Sequence, residues 1–222
     1  MIGAVLFDLD ETLIGRAGAI RSFINDQYEH FERRLNGIDA ATYTRRFLVM
    51  EDNGRIAKDK LYPAFVAALG ITGVSAEALL EDYRTRYPTY ARFNPGARET
   101  LERVRADGAR TGILSNGNVE VQNGKIDALG IRDLLDTVVI SEDVGLSKPD
   151  PAIFLLAVNN LNVDPESALF VGDNPQADIV GAVNAGLQTL WYRNGATWPK
   201  GLNPRADADI DHLEEVLRYP GK

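Results

Sequence analysis

The sequence predicts an α/β fold, with a Rossmann-like, mainly parallel sheet flanked by helices. Three observations lead to it: short apolar segments recur along the chain, helical patterns separate them, and most of the segments end at polar residues. A continuous apolar run is typical of a strand that is covered on both faces, as in parallel sheets. The predicted strands are residues 4–8, 111–114, 137–140, 168–171, 188–192 and the short run 208–210.

Proline and glycine mark the helices between these strands. A helix is expected after Pro95 and ends near Gly108, and another begins at Pro151. A third begins at Pro175 and ends near Gly186. Proline favours the first turn of a helix and glycine its C-terminal end, so each pair delimits one helix. Strands and helices therefore alternate, which indicates parallel strands joined by crossover helices.

One stretch interrupts this alternation. Residues 15–90 contain amphipathic helical patterns and no convincing strand pattern. The sequence therefore predicts two domains, a Rossmann-like core from residues 1–14 and 91–222 and a small all-helical insert from residues 15–90. The helices expected in the insert are 18–35, 40–51, 56–69 and 75–87.

Composition narrows the classes of function. The 222 residues carry a formal net charge of −8, which argues against a nucleic-acid-binding surface and gives no support for binding an anionic membrane. The chain has no cysteine, which excludes disulfides, thiolate zinc sites and thiol nucleophiles. His30 and His212 are far apart in sequence, which disfavours a histidine-rich metal site and a Ser-His-Asp triad.

The expected location is the cytoplasm. Absence of cysteine fits a reducing compartment. The apolar N-terminal segment ends at Asp8 and lacks a basic leader, so we expect no signal peptide. No apolar run reaches the ~18 residues that a membrane span needs. The sequence carries no signal for an oligomeric state.

Two carboxylates stand at the end of the first predicted strand. Asp8 and Asp10 belong to the pattern Asp-x-Asp-x-Thr, which Thr12 completes. Alternation along an extended strand would turn both carboxylates to one side. Such a pair repels unless it shares a cation or a proton. Taken alone, the pattern also fits a loop with two solvated acids, since it occurs by chance in about a few per cent of chains of this length.

Further polar residues follow the other strands in order. Ser115 and Asn116 come after the second strand, Lys148 lies in a loop after the third, and Asp173 follows the fourth, with Asp178 five residues later. Each alone has an ordinary structural interpretation, such as a helix cap, a surface lysine or a turn. In an α/β sheet, however, the carboxyl ends of the strands are where ligand-binding groups gather.

With these segments the chain resembles the haloacid dehalogenase superfamily of aspartate-nucleophile hydrolases. The resemblance covers most of the chain outside residues 15–90, and the insert occupies the position of that family's first class of cap domain. The matching segments are the Asp8 motif and residues 114–117, 147–151, 171–174 and 178–186.

The resemblance implies a Mg²⁺-dependent phosphatase. Asp8 would be the nucleophile that becomes an aspartyl-phosphate, and Asp10 the general acid and base. Asp8, the backbone carbonyl of Asp10 and Asp173 would hold Mg²⁺, with Asp178 as a direct, water-mediated or outer partner.

The remaining residues of the motifs would bind the phosphoryl group. Ser115 would donate a hydrogen bond to it, and Lys148 would neutralise charge between it and Asp8. Thr12 and the backbone of Asn116 would shape the pocket. The expected substrate is a small soluble phosphomonoester, such as a nucleoside monophosphate or a sugar phosphate, as in nucleotidase-like and phosphoglycolate-phosphatase-like members.

Three alternatives remain open. A phosphomutase of the same superfamily uses the same acids and depends on its cap to exclude water. A haloacid dehalogenase resembles this chain in fold and nucleophile but lacks the second acid, which Asp10 supplies here. A non-catalytic binding protein on the same fold need not keep the four residues Asp8, Asp10, Lys148 and Asp173.

Overall fold

The computed structural model describes residues 2–221, and a sheet of six strands organises most of them. The strands are β1 (Ala4–Phe7), β2 (Arg110–Ser115), β3 (Thr137–Ile140), β4 (Ala168–Gly172), β5 (Gln188–Tyr192) and β6 (Ala208–Ile210). The α-helices are α1 (Arg16–Phe31), α2 (Ala40–Glu51), α3 (Lys58–Leu69), α4 (Ala76–Arg86), α5 (Ala97–Ala106), α6 (Val119–Leu129), α7 (Ser141–Val144), α8 (Pro151–Leu161) and α9 (Gly181–Asn184). A π-helical turn, Pro175–Val180, leads into α9, and short 3₁₀ helices cover Glu32–Arg34, Asp52–Gly54, Tyr87–Tyr90, Arg132–Leu134, Pro165–Ser167 and Leu213–Arg218.

All neighbouring strands of the sheet are parallel, in the order β3-β2-β1-β4-β5-β6. The predicted Rossmann-like fold class is therefore confirmed. Phe7, the last residue of the central strand β1, is level with Ile113 on one side and Val171 on the other. The residues that follow these strands consequently meet at one edge of the sheet, which is where the polar motifs lie.

Apolar packing against α8 explains why the inner strands are continuous apolar runs. Every residue of β1 is buried, and so is every residue of β4. Phe154 on α8 packs edge-on against Phe170 of β4, with their ring centroids 5.0 Å apart. Pro151 opens this helix as predicted, and the Asp150 side chain caps it by accepting a hydrogen bond from the Ala152 N–H.

The structure differs from the predicted elements at several ends. β1 stops at Phe7, one residue before the expected end, and β2 extends through Ser115. The helix that follows Pro175 begins as a π-helical turn, whose first N–H groups bond the Asn174 side chain. Helix α6 had no counterpart among the predicted elements, because its apolar residues form no clear periodic stripe.

The chain packs as two units. The sheet unit is formed by the segment that ends at Gly15 together with the segment that begins at Arg92, and the helical unit is Arg16–Ala91. Within the sheet unit the two segments that border the insert run side by side, since Ile14 pairs with Phe93 in an antiparallel bridge. The insert thus leaves and re-enters the sheet unit through paired backbone.

The helical unit has an apolar core of its own. Phe23, Phe47 and Phe65 are fully buried, together with aromatic partners from neighbouring helices. Gln27 lies within this core, and its amide donates to the Leu79 carbonyl and Asp82 and accepts from two tyrosine hydroxyls. A buried amide with all its hydrogen bonds made costs little and fixes the packing.

Across the described part of the chain, no helix combines the length and apolar character that crossing a membrane requires.

Candidate active site

Three carboxylates converge at the carboxyl edge of the sheet. Asp8 directly follows β1, Asp173 directly follows β4, and Asp178 lies in the π-helical turn. One oxygen of each lies within 4.8 Å of the others. Asp8 is only 6% exposed and Asp178 only 1%. Three negative charges this close together and largely shielded from water repel strongly unless cations compensate them.

Lys148 supplies one compensating charge. Its Nζ donates to Asp8 Oδ1 at 2.5 Å and to Asp178 Oδ1 at 2.6 Å, and the residue is 6% exposed. Asn116 holds the lysine backbone on both sides, because its side-chain oxygen accepts from Lys148 N–H and its amide donates to the Lys148 carbonyl. The Asn116 side chain therefore positions Lys148, a contact that the expected backbone role of Asn116 does not include.

The turn after β4 is shaped around Asp178. The Asn174 N–H donates to Asp178 Oδ2 at 2.9 Å, and Lys148 occupies the other oxygen. A Cβ on Gly172 would lie 2.5 Å from an Asp178 oxygen, so only glycine fits at the end of this strand. The glycine in the matching segment 171–174 is thus explained by the close approach of the Asp178 carboxylate.

The ionisation of the site reflects one cation among three carboxylates. Burial raises the pKa of Asp8 to about 7, although Lys148 lowers it and Asp178 raises it further. Burial, with the charges of Asp8 and Asp178, raises the pKa of Asp173 to about 8. Burial opposes the charge of Lys148, but the two carboxylates outweigh that effect and raise the pKa of the lysine.

These pKa values predict that the metal-free protein loses stability as the pH rises. In the unfolded chain both aspartates ionise near their ordinary value of 3.8, whereas the folded protein holds their protons to about pH 7 and 8. The two protonated aspartates therefore stabilise the folded protein fully below about pH 4. This stabilisation is lost as the pH rises from about 4 to about 8. Urea unfolding in EDTA should show this fall in the free energy of unfolding, and a shallower fall for Asp8→Asn. Equal slopes for both proteins would contradict the assignment.

Asp10 does not share the strand geometry expected for it. The strand ends at Phe7, and Glu11 has a positive φ of 65°, so the chain turns where alternation was predicted to continue. The Asp10 carboxylate lies against Lys125 and Gln122 of α6. Thr12 is fully buried, and its hydroxyl donates to Asp173 Oδ1 at 3.3 Å, which ties the Asp8 motif to the segment that follows β4.

Ser115 ends β2 next to these residues. Its Oγ accepts a hydrogen bond of 2.6 Å from Gln122 Nε2. Gln122 in turn donates to Asp10, so Ser115 is linked to the Asp8 motif through one amide. The structure therefore joins the predicted site residues into two connected groups, one around Lys148 and one around Asp10.

Sequence reasoning missed three side chains of this site. Gln122 and Lys125 lie on α6, the helix that was not predicted, and a spacing of three residues was their only signal. Trp191 lies in β5 and is 1% exposed. Its indole N–H also donates to the Asp173 carbonyl at 2.7 Å, which holds the chain just after β4.

Comparison with known proteins identifies the family. A family model described as haloacid dehalogenase-like hydrolase matches residues 2–186. The chain is 34% identical to the glyceraldehyde 3-phosphate phosphatase of Pyrococcus furiosus, over 97% of this chain and 92% of that protein. It is 37% identical to a pyrimidine 5'-nucleotidase of Escherichia coli, over 55% of this chain and 56% of that one. Among solved structures, a HAD phosphatase of Thermococcus onnurineus superposes with a TM-score of 0.73 at 30% identity, covering 98% of this chain and 97% of that one.

The parallel sheet, with an aspartate after its first strand and further acids after its fourth, agrees with a hydrolase of this family. The chain belongs to the haloacid dehalogenase-like hydrolases. The predicted enzyme class, a phosphatase, is confirmed by these relatives.

Proposed function

We propose that the protein is a Mg²⁺-dependent phosphomonoesterase that forms an aspartyl-phosphate on Asp8. The observation that carries the proposal is the buried Asp8 carboxylate, held by Lys148 and grouped with Asp173 and Asp178. A carboxylate kept dry beside a lysine suits attack on phosphorus, because its charge is not weakened by a shell of water.

The acid cluster fits Mg²⁺. All its side-chain donors are carboxylate oxygens, which a hard divalent cation prefers. Lys148 balances only one of three charges, and the raised pKa values of Asp8 and Asp173 express that deficit. We assign the ion to Asp8, Asp173 and the backbone carbonyl of Asp10, with Asp178 as an outer partner through Lys148. When bound, Mg²⁺ supplies positive charge that offsets the charge of the phosphoryl group.

In the first step, an oxygen of Asp8 attacks phosphorus while the bond from phosphorus to the leaving oxygen breaks. Asp10 donates its proton to that oxygen, so the product leaves as a neutral alcohol. Lys148, already bonded to Asp8, stabilises the charge on the transferred phosphoryl group. Ser115 donates a hydrogen bond from its hydroxyl to a phosphoryl oxygen.

In the second step, water attacks the phosphorus of the aspartyl-phosphate. Asp10 now accepts a proton from the water, and the bond from Asp8 to phosphorus breaks. Inorganic phosphate leaves, Asp8 is restored as a carboxylate, and Asp10 is again protonated. Protons and phosphoryl groups balance over the cycle.

The substrate we propose is a small phosphorylated metabolite. The relative that spans 97% of this chain is named a glyceraldehyde 3-phosphate phosphatase, and that span includes the helical unit. The pyrimidine nucleotidase matches over only 55%. We assign substrate selection to the helical unit, which makes a sugar phosphate a better candidate than a nucleoside monophosphate.

A panel of phosphomonoesters tests the proposed function. Triose, pentose and hexose phosphates, phosphoserine and nucleoside monophosphates are incubated with the purified protein, in Mg²⁺ or in EDTA, and phosphate release is measured. We expect release in Mg²⁺, a loss of at least about 10³-fold in EDTA, and recovery when Mg²⁺ is restored. Equal release in EDTA would overturn the Mg²⁺ assignment. Rearranged sugar phosphate without phosphate release would indicate the phosphomutase alternative.

A further inference from the structure

Helix α6 presents two buried polar side chains to the site. Gln122 is 2% exposed and Lys125 is 3% exposed. They stand three residues apart, which places them on one face of the helix. Lysine is almost never buried so completely without a charged partner, so a residue such as Lys125 requires an explanation.

Lys125 finds its partner in Asp10. Its Nζ donates to both carboxylate oxygens, at 2.8 Å each. Contact with both oxygens restricts the rotation of the carboxylate about its own bond, which a single hydrogen bond would leave possible. The Asp10 side chain is 24% exposed, so one side of it remains open to solvent while the lysine holds the other.

Gln122 connects Asp10 to Ser115. Its Nε2 donates to Asp10 Oδ2 at 2.9 Å and to Ser115 Oγ at 2.6 Å. A carboxylate only accepts hydrogen bonds, so the nitrogen of the amide has to face Asp10, and both of its N–H groups are used. Because Ser115 Oγ accepts from Gln122, the serine's own proton points away from this amide.

We propose that Gln122 and Lys125 are positioning residues that hold the acid–base carboxylate and the phosphoryl-binding hydroxyl in one rigid frame. The inference rests on the proposed function, because it assigns these side chains a purpose through Asp10 and Ser115. The rate of proton transfer to a leaving oxygen depends steeply on the placement of the acid. A carboxylate that is already fixed loses no conformational entropy when it adopts the reactive orientation. The frame as the structure holds it is that of ionised Asp10, the form that takes a proton from water in the second step.

The effect of the frame should depend on the leaving group. An alkyl phosphate needs a proton on its leaving oxygen, whereas p-nitrophenyl phosphate has a leaving group that departs without one. Because Asp10 also acts in the second step, which is the same for both esters, the comparison uses the single-turnover rate of Asp8 phosphorylation. Lys125→Met, which keeps the side-chain length and removes the charge, should lower this rate for an alkyl phosphate by about 10–100-fold. For p-nitrophenyl phosphate the same variant should lower it by less than about 3-fold.

Three further variants separate positioning from folding. Ile126→Ala removes buried apolar volume from the same helix and no hydrogen bond to Asp10, and should affect both esters equally. Gln122→Met leaves the Lys125–Asp10 ion pair in place, and should show the same ester selectivity as Lys125→Met even if the latter folds poorly. In an Asp10→Asn background, Lys125→Met should cause no further loss, because residues that act through one another are not additive.

Asp10→Asn distinguishes the failure of the inference from that of the proposed function. If Asp10→Asn is selective against the alkyl ester and neither helix variant is, the positioning role is wrong and the phosphatase mechanism stands. If Asp10→Asn lowers the single-turnover rate of Asp8 phosphorylation equally for both esters, the general-acid role itself is wrong. Equal losses on both esters for the folded helix variants and Ile126→Ala would overturn the frame in favour of simple packing.

Discussion

Replacing Asp8 with asparagine is expected to lower kcat by about 10⁴-fold or more while the protein stays folded. The amide is nearly the same shape as the carboxylate but is a far weaker nucleophile, so no aspartyl-phosphate can form. Lys148 and Asp178 keep their contact, because Asp8 is only one of the two partners of the lysine. The loss is therefore expected in the chemical step.

Rapid quenching followed by mass measurement of the intact protein provides the direct readout. Wild-type protein mixed with substrate and Mg²⁺ should carry one phosphoryl group in acid, and Asp8→Asn should carry none. Asp39→Asn is the matched control, because Asp39 caps α2 on the exposed surface and asparagine caps a helix equally well. Asp8→Asn activity within about tenfold of the wild type would rule out Asp8 as the nucleophile.

The strand ends were the most predictable part of the site. Parallel strands buried on both faces have continuous apolar runs, so their ends are visible in the sequence as the first polar residue. Asp8 and Asp173 were located in this way, and the topology then brings them together because β1 and β4 are neighbours. Nothing beyond local pattern and the general rule for parallel sheets was needed.

The supporting contacts were not predictable in the same way. Gln122 and Lys125 reach Asp10 only because α6 follows β2 and packs beside the turn after β1, which is a consequence of tertiary structure. A lysine on a helix is usually solvated, so its sequence position carries no sign of burial. The two hydrogen bonds between the Asn116 side chain and the Lys148 backbone likewise join residues that are 32 apart in sequence, and no spacing rule connects them.

The turn at Asp10 shows where a correct local rule ceases to apply. Alternation holds only while the backbone is extended, and the positive φ of Glu11 ends that geometry. Glu11 is a non-glycine residue in the left-handed region, which sequence patterns seldom reveal. Asn194 donates to the Glu11 carbonyl and to its side chain, so a contact from a distant loop supports this backbone.

Lys148→Met should be the most destabilising substitution in the site and should also reduce kcat by about 10³-fold. Removing the lysine leaves Asp8 and Asp178 buried without their shared cation, and an uncompensated buried charge costs about 3–5 kcal/mol. Urea unfolding in EDTA measures the free energy of unfolding, and kcat at saturating Mg²⁺ measures the loss of catalysis. Lys60→Met, at an exposed position of α3, should change neither.

The double variant Lys148→Met/Asp178→Asn decides whether charge balance causes the instability. If it does, neutralising Asp178 removes one of the two buried carboxylate charges that Lys148 no longer compensates. The double variant should then be more stable than Lys148→Met alone. If the lysine contributes mainly by packing its methylene chain, the second substitution should add to the damage. Mg²⁺ should likewise stabilise Lys148→Met more than it stabilises the wild type, since the ion then supplies the only positive charge between these carboxylates. The sign of the coupling therefore distinguishes an electrostatic role for Lys148 from a steric one.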